Sequence, residues 1–415
     1  MIDYPSKLDI IFNKLNSYCA KVIIVGGFVR DTLLGIESKD IDIEVYGISN
    51  FETLEDILKE FGSVNNVGKS FGICKLSLDS YDLDFSLPRY DNKTGSGYTG
   101  FDVKIDSTLD FKTASSRRDF TINAIGYDVK EKKLLDPHKG LGDLEAKILR
   151  AVDNKKFIED PLRVLRAVQF SARFNLSIDQ NLHNLCRDMV TEDKLSELPK
   201  ERVFEEVKKL LLKSKKPSIG FEFLKSLDAL KYFSHLNTLD KCSWIDIMSA
   251  LDKITNILTN NEKTNLILML STLSYKFNEE QITQFISNLT NEKELPTRVI
   301  PLVKNLKILE KFKTSKADDY FLYKLATKVS IKEVLILCEA FFDFGKNLKT
   351  RAKELEIYTK KMEPILRGKD LVKLNLTPSN EFSSILDKAY DAQMHSEFST
   401  YDEGMKWLKK HLSLH

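Results

Sequence analysis

The sequence predicts an α+β protein in which a head of strands and helices precedes a long all-helical region. Short apolar runs separated by turns fill roughly the first 150 residues, and helical periodicity dominates from about Pro137 onward. The 415 residues are 42% hydrophobic and 30% charged, which excludes a disordered chain, a collagen-like chain and a small disulfide scaffold. This length is sufficient for two or three compact units.

The predicted head elements follow a strand, turn and helix pattern. Residues 21–25 form an apolar strand, Gly26-Gly27 a turn, and residues 28–34 a helix that ends at Gly35. Residues 41–46 alternate strictly between apolar and other side chains, which indicates a strand with two different faces. Further β-like runs lie at residues 72–78, 83–87 and 122–129.

The remainder of the chain is predicted to be helical. Amphipathic helices are expected at residues 141–149, 160–174, 202–212 and 221–231, and helical patterning continues to 407–411. Polar segments at 213–217 and 260–263 are candidate joints between units.

The chain is expected to be a soluble cytoplasmic protein without a membrane anchor or an evident protein partner. The longest apolar run near the middle, residues 266–270, is far shorter than the ~20 residues of a membrane helix. Residues 1–15 are amphipathic and do not resemble a signal peptide. The five cysteines are scattered, which favours reduced thiols over disulfides or a zinc site.

Basic residues are concentrated in the second part of the chain. The net charge is +2, yet residues 1–150 hold 20 Lys and Arg against 24 Asp and Glu. Stretches 200–216 and 346–373 are strongly basic and are candidate contacts for nucleic-acid phosphates, although basic helix surfaces are often only solvated.

Two carboxylates and a glycine turn form the first candidate site. Asp40 and Asp42 lie two residues apart on one strand face, and such paired oxygen ligands suit Mg²⁺. Upstream, the turn at Gly26-Gly27 leads into a helix whose backbone N–H groups can approach phosphates, and Arg30 adds positive charge. Together these residues predict a site for Mg²⁺ and a nucleoside triphosphate.

This segment, VGGFVRDTLLGIESKDIDIEVYG, resembles the nucleotidyltransferase signature of the class II CCA-adding enzyme and bacterial poly(A) polymerase family. Four further blocks follow in the family's order: SSRRDFTINAIGYD, DPHKGLGDLEAKILRAV, IEDPLRVLRAVQFSARF and LPKERVFEEVKKLL. The resemblance is dense over residues 21–212 and less specific in the last ~50 residues.

The resemblance implies a polymerase-β-like nucleotidyltransferase head with a mixed sheet, followed by an elongated all-α neck, body and tail. The expected bounds are 1–140 for the head, 141–216 for the base-selecting neck, 217–340 for the body and 341–415 for the tRNA-binding tail. Catalysis and metal binding are assigned to Asp40 and Asp42. Nucleotide binding is assigned to the following residues: Gly27, Arg30, Arg118, Asp119, Asp160, Arg163, Arg166 and Gln169.

The block IEDPLRVLRAVQF is expected to read the base. On a helix that includes residue 159, Glu159, Arg163, Arg166 and Arg173 would share one stripe. A carboxylate and a guanidinium can recognise the hydrogen-bonding edges of C and A, and in the resembled family Asp160 and Arg163 do so, with Arg166 nearby. Gln169 departs from the family, which usually has an arginine there.

The resemblance implies that an RNA 3′-hydroxyl attacks the α-phosphorus of CTP or ATP with Mg²⁺ as cofactor, so that C, C and A are added to the tRNA acceptor end. Asp82 and Asp84 are both candidates for a third carboxylate. Asp143 and Arg150 are either a hinge between head and helices or simple surface charges.

Several alternatives stay open at this point. An A-adding or CC-adding partial enzyme and a poly(A) polymerase belong to the same family. Residues 67–72 are more similar to CCA-adding enzymes, and the Gly-rich segment 87–101 argues against a CC-only enzyme. No His-Asp dipeptide occurs, which disfavours an HD phosphohydrolase domain. A small-molecule nucleotidyltransferase and an inactive RNA-binding protein are the alternatives outside the family.

Overall fold

The computed structural model describes residues 2–18, 20–65, 72–93, 101–314 and 318–412. The chain divides into two compact units, Met1–Tyr232 and Phe233–His415. The first unit contains the predicted head and neck together with the beginning of the predicted body. The finer four-part division of the chain stays a prediction.

The predicted head is built on a mixed sheet. Its strands and the short ones that follow are β1 (Lys21–Val25), β2 (Asp40–Tyr46), β3 (Val64–Asn65), β4 (Ile73–Leu78), β5 (Tyr81–Ser86), β6 (Arg89–Lys93), β7 (Phe101–Ile105), β8 (Gly126–Asp128), β9 (Lys133–Leu135), β10 (Ile148–Leu149) and β11 (Ser177–Ile178). Within the described residues, seven of them form one sheet in the order β3-β4-β5-β2-β1-β8-β9. β2 pairs with β1 in antiparallel and with β5 in parallel orientation, and β6 pairs with β7 as a separate ribbon.

The two faces of β2 have different surroundings. Ile41, Ile43 and Val45 point into an apolar core, as the alternation in the sequence predicts. Three helices pack on that face: α1 (Leu8–Ser17), α2 (Gly27–Leu33) and α3 (Phe51–Lys59). On the opposite face, α4 (Phe111–Ser115) places Phe111 and Ala114 against β1 and the end of β2. That face is therefore covered near Tyr46 and open near Asp40.

The helices that complete the first unit are α5 (Gly140–Glu145), α6 (Asn154–Phe157), α7 (Leu162–Phe174), α8 (Gln180–Thr191), α9 (Lys200–Lys213) and α10 (Pro217–Ser226). The prediction that α7 includes residues 160 and 161 was wrong. Pro161 is the N-cap residue of α7, and the Asp160 Oδ1 atom accepts a hydrogen bond from the Leu162 N–H. Asp160 thus satisfies a backbone donor that has no partner within the helix.

Other boundaries also differ from the sequence prediction. The helix predicted at 221–231 is replaced by α10, which ends at Ser226, and a 3₁₀ turn at Ala229–Tyr232. The β-like run at 122–129 divides into a 3₁₀ turn, Thr121–Asn123, and strand β8. The helix predicted at 141–149 ends with α5 at Glu145, and β10 follows and pairs with β11. The prediction that strands disappear after about Pro137 was therefore wrong for this short pair. Lys147, with a φ of 54°, lies between the two elements and ends the helical conformation.

The second unit is helical throughout its described residues. Its helices are α11 (Lys241–Ile254), α12 (Glu262–Leu273), α13 (Glu279–Leu289), α14 (Glu294–Glu310), α15 (Asp319–Lys328), α16 (Ile331–Phe341), α17 (Gly345–Glu354), α18 (Gly368–Lys373), α19 (Glu381–Met394) and α20 (Tyr401–His411). The apolar run 266–270 lies in α12, which is buried on all sides from Asn265 to Leu273. Of the helices described, none combines the length and apolar character needed to cross a membrane.

Candidate active site

The floor of the candidate site is the open face of β2 and β5. The parallel register places Asp40 opposite Asp82 and Asp42 opposite Asp84, so these carboxylates share one face. They line a cavity of about 500 Å³ together with side chains of β4. The Lys75 Nζ atom lies 2.8 Å from Asp84 Oδ2, which gives that carboxylate a cationic partner.

Electrostatic crowding at Asp42 favours a cation. Loss of hydration raises the pKa of the Asp42 carboxyl, and the nearby Asp84, Glu44 and Asp40 raise it further, while Arg118 opposes them. Within the described residues no cluster of three or more His, Cys, Asp or Glu side chains is arranged around a metal position. The oxygen-only pair Asp40 and Asp42 nevertheless fits a divalent cation, because a bound cation relieves the repulsion between carboxylates.

The predicted glycine turn lies directly beside this floor. Gly26 has a φ of 73° and a ψ of −131°, a conformation that L side chains rarely adopt. A β-carbon on Gly26 would lie 2.7 Å from Arg118 Nη1 and 3.0 Å from Asp42 Oδ2. Gly27 is the first residue of α2. The turn therefore brings the backbone, Arg118 and Asp42 to one place.

Glu44 is the functional candidate that the sequence interpretation did not single out. Its carboxylate is fully buried and accepts hydrogen bonds from Arg117 Nη2 at 2.9 Å, Arg118 Nη2 at 3.1 Å and the Tyr46 hydroxyl at 2.8 Å. Burial alone would raise its pKa, but Arg118 and Arg117 outweigh burial and lower it. The signal was present in the sequence, because Glu44 continues the alternation of Asp40 and Asp42.

Arg30 is enclosed by protein groups. Its guanidinium donates to Asp31 Oδ1 from Nε at 2.8 Å and from Nη2 at 2.6 Å, and it also donates to the Asn123 side chain. It lies over the rings of Phe170 and Phe174, 5.0 and 4.5 Å from their centroids. These contacts join α2 to α7, and direct phosphate contact by Arg30 stays a prediction.

Asp119 and Arg166 connect the predicted sugar-recognition block to α7. The Asp119 Oδ2 atom accepts from Arg166 Nε at 2.7 Å, and its Oδ1 atom accepts from Asn123 Nδ2 at 2.9 Å. Burial raises the pKa of Asp119, but Arg166, Asn123 and Arg163 outweigh it and lower the pKa. Asp119 is therefore a buried carboxylate held in its charged form.

The predicted base-reading residues lie at the start of α7. Arg163 donates to two backbone carbonyls, Lys156 O at 2.8 Å and Arg117 O at 2.6 Å. The Asp160 Oδ2 atom lies 3.5 Å from Arg202 Nη2 of α9. Because α7 begins at Leu162, the expected stripe that included Glu159 was wrong: Glu159 precedes the helix. The base-reading role of Asp160 and Arg163 stays a prediction.

Gln169 lies in the interior of the first unit. Its side chain is 1% exposed, and its Nε2 atom has no hydrogen-bond partner among the residues that the structure describes. The departure from the family's usual arginine thus places an unpaired amide at a buried position of α7. Its assigned role in nucleotide binding stays a prediction.

The pair Asp143 and Arg150 forms a real ion pair. Arg150 Nε lies 3.2 Å from Asp143 Oδ2, and Arg150 Nη1 lies 2.5 Å from Asp179 Oδ1. Asp143 also accepts from the Thr121 hydroxyl at 2.7 Å. This cluster joins α5, the residue that follows β10, and the N-cap residue of α8. The role of Asp143 and Arg150 as a hinge stays a prediction.

Some predictions fall on segments outside the described residues. Residues 66–71 and 94–100 contain most of the element that favoured CCA-adding enzymes over poly(A) polymerases, together with the centre of the Gly-rich segment.

Comparison with known proteins agrees with the fold. Residues 22–150 match the family model described as the poly A polymerase head domain, and residues 175–239 match that of the probable RNA and SrmB-binding site of polymerase A. The "Multifunctional CCA protein" of Methylobacillus flagellatus is 38% identical over 212 residues, which are 51% of this chain and 49% of the relative. The chain therefore spans about half the length of the curated relative that it matches.

Solved structures match nearly the whole chain. The Thermotoga maritima CCA-adding enzyme complexed with tRNA is 22% identical, with a TM-score of 0.75 over 99% of this chain and 97% of that one. Structures of a CCA-adding enzyme with CTP and with ATP are 22% and 23% identical, each with a TM-score of 0.75 over 99% of this chain and 96% of the other. The resemblance to the class II CCA-adding enzyme and bacterial poly(A) polymerase family, and the predicted fold class, are confirmed.

Proposed function

We propose that this chain is a CCA tRNA nucleotidyltransferase, which adds C, C and A to the 3′ end of tRNA from CTP and ATP without a nucleic-acid template and releases pyrophosphate. The observation that carries the proposal is a short chain of side-chain contacts that links the carboxylates on the open face of β2 and β5 to α7. Arg118 lies beside Asp42, and the adjacent Asp119 is bonded to Arg166 of α7. The relative named as a CCA protein and the CCA-adding enzyme structures support the same activity.

The reaction requires a divalent cation, for which Mg²⁺ is the proposed identity. Asp40 and Asp42 would hold it, because both are carboxylates on the open face of β2. When bound, such a cation lowers the pKa of an attacking hydroxyl and neutralises negative charge on the leaving pyrophosphate. Asp82 and Asp84 are both candidates for a third carboxylate, since they lie opposite Asp40 and Asp42 in the parallel pair.

The chain's own residues bind and orient the nucleotide. Arg118 Nη1 is directed over the Gly26 turn, where it can donate to a phosphate oxygen. Asp160 can accept a hydrogen bond from the amino group of C or A, and Arg163 can donate to a ring acceptor. Uracil and guanine present donors and acceptors in the opposite sense on the same edge, so this pair would disfavour them.

The proposed partner is the acceptor arm of tRNA, and the proposed location is the cytoplasm. Residues 175–239, which match the RNA-binding family model, include the basic stretch 200–216. Basic side chains bind the phosphate backbone irrespective of sequence, which suits an enzyme that acts on all tRNAs. The second basic stretch, 346–373, is a further candidate for this contact.

The test is single-nucleotide-resolution extension of tRNAs that lack A, CA or CCA, with CTP, ATP or both in the presence of Mg²⁺. We expect CTP to add two residues to the shortest tRNA and ATP then to add one. Addition of A only to the tRNA ending in CC would identify an A-adding enzyme, and arrest after two C residues would identify a CC-adding enzyme. Long A tails on unrelated RNA would identify a poly(A) polymerase, and each of these results would contradict the proposal.

A further inference from the structure

Glu44 occupies an unusual position on the catalytic strand. It lies two residues beyond Asp42 on the same face of β2, where Phe111 and Ala114 cover the sheet. Its carboxylate is 0% exposed, whereas Asp42 lines the open cavity. A buried carboxylate requires cationic or hydrogen-bonding partners, and here Arg118 supplies one of them.

Arg118 lies between this carboxylate and Asp42. Its Nη2 atom is 3.1 Å from Glu44 Oε1, and its Nη1 atom is 3.4 Å from the Asn123 carbonyl oxygen. A β-carbon on Gly26 would lie within 3.0 Å of both Arg118 Nη1 and Asp42 Oδ2. The guanidinium and the carboxylate therefore both contact the space directly above Gly26. Glu44 and Asp42 are thus alternative anionic partners for one guanidinium.

We propose that Glu44 is a positioning residue that retains Arg118 at the covered end of β2 and so keeps Asp42 available to a divalent cation. A guanidinium and a metal ion compete for one carboxylate, because each neutralises the same charge. The bond from Glu44 to Nη2 fixes one side of Arg118 and leaves Nη1 directed at the Gly26 turn. The extension assay that tests this inference rests on the proposed function. The measurement of metal binding does not depend on it.

The test compares Glu44→Gln with the matched control Tyr46→Phe. Glu44→Gln keeps the shape of the side chain and removes its charge, whereas Tyr46→Phe removes one hydrogen bond to Glu44 and leaves both arginine contacts. Mn²⁺ binding to the nucleotide-free full chain is followed by electron paramagnetic resonance. We expect Glu44→Gln to weaken Mn²⁺ binding at least fivefold and Tyr46→Phe to change it less than twofold.

A second variant pair identifies Arg118 as the competitor. In the double variant Glu44→Gln/Arg118→Gln the guanidinium is absent, and Mn²⁺ affinity is expected to return to the wild-type value or above it. In extension assays the KM for CTP and for ATP should be higher in the double variant than in the wild type, because Arg118 Nη1 is lost as a phosphate donor. If Glu44→Gln fails to fold, as judged by circular dichroism, Glu44→Asp replaces it, with the same direction and a smaller effect expected.

The inference is overturned if Glu44→Gln, or Glu44→Asp in its place, binds Mn²⁺ like the wild type. It is also overturned if the double variant binds Mn²⁺ as weakly as the single variant. Failure of CCA addition by the wild-type chain would contradict the proposed function but would leave the Mn²⁺ comparison intact, so the two failures are distinguishable.

Discussion

The guanidinium of Arg118 lies over Gly26, and its Nη1 atom would be 2.7 Å from a β-carbon built on that glycine. This contact explains why a residue without a side chain is required beside β2. The close approach of backbone and guanidinium leaves no space for a methyl group, and the φ of 73° adds a second requirement for glycine.

Gly26→Ala is therefore expected to abolish most activity. The substitution would displace Arg118 or Asp42 and impose backbone strain of about 1–3 kcal/mol, and a misplacement of about 1 Å at such a site costs about 100-fold in rate. The measurement is the rate of single-nucleotide addition, with thermal unfolding as a check on folding. Gly142→Ala in α5 is the matched control, since a β-carbon there meets no described atom within 4 Å apart from its chain neighbours and the backbone of its own helix. Near wild-type activity of Gly26→Ala would contradict this interpretation of the turn.

Asp42→Ala should abolish nucleotide transfer while tRNA binding stays nearly unchanged. The carboxylate lies on the open face of β2, and its loss removes a proposed metal ligand worth several kcal/mol of transition-state stabilisation, or about 1,000-fold in rate. Rates and tRNA affinity are measured on the same preparation. Asp56→Ala on α3 is the control, because the Asp56 side chain is 75% exposed. An equal loss of tRNA binding would contradict the assigned metal role.

Arg163→Ala should reduce discrimination of C and A against U and G more than it reduces the rate of pyrophosphate release. A well-placed base contact contributes about 1–3 kcal/mol, so selectivity at each step is expected to fall about tenfold. The measurement is kcat/KM for CTP, ATP, UTP and GTP on tRNAs of defined 3′ end. Arg187→Ala on the exposed side of α8 is the control. Unchanged selectivity would leave Arg163 with only its bonds to the carbonyls of Lys156 and Arg117.

Gln169→Leu should leave stability unchanged or increase it. A buried amide donor without a partner costs about 1–3 kcal/mol, and an apolar residue of similar size removes that cost. The melting temperature is expected to stay equal or rise by about 2–4 °C for each kcal/mol gained. Asn123→Leu is the contrasting variant, because the Asn123 amide contacts Asp119 and Arg30, and its melting temperature should fall. A lower melting temperature for Gln169→Leu would show that the amide has a stabilising partner.

The buried cysteines should resist alkylation in the folded protein. Burial raises the pKa of the Cys186 thiol, and burial together with Glu339 raises that of Cys338 to about 12. Since the thiolate is the nucleophile, both are protonated at pH 8 and become reactive only at higher pH or on unfolding. Iodoacetamide labelling followed by peptide mass spectrometry should modify the exposed Cys242 before Cys186 and Cys338. Labelling in urea is the control, and rapid modification of Cys186 without denaturant would contradict the packing of α8.

Much of the fold could be predicted from the sequence, because its periodicity is local. The alternation in residues 41–46 predicts both faces of β2, and the turn before α2 follows from Gly26-Gly27. The predicted start of α7 was two residues too early, because Asp160 precedes the helix and its side chain accepts a hydrogen bond from the N–H of Leu162, the first helical residue. The short pairing of β10 with β11 joins segments separated by 27 residues, and no local pattern predicts such a contact.

The sequence by itself predicted the candidate residues of the site and determined their order along the chain, because strand alternation and motif spacing depend on neighbours in the chain. It identified Asp40 and Asp42 as a pair and located Arg118 and Asp119 in one block. Only the tertiary structure decided which charges meet. It buried Glu44 between Arg117 and Arg118, enclosed Arg30 and bonded Asp119 to Arg166, since these contacts depend on how α2, α4 and α7 pack around the sheet.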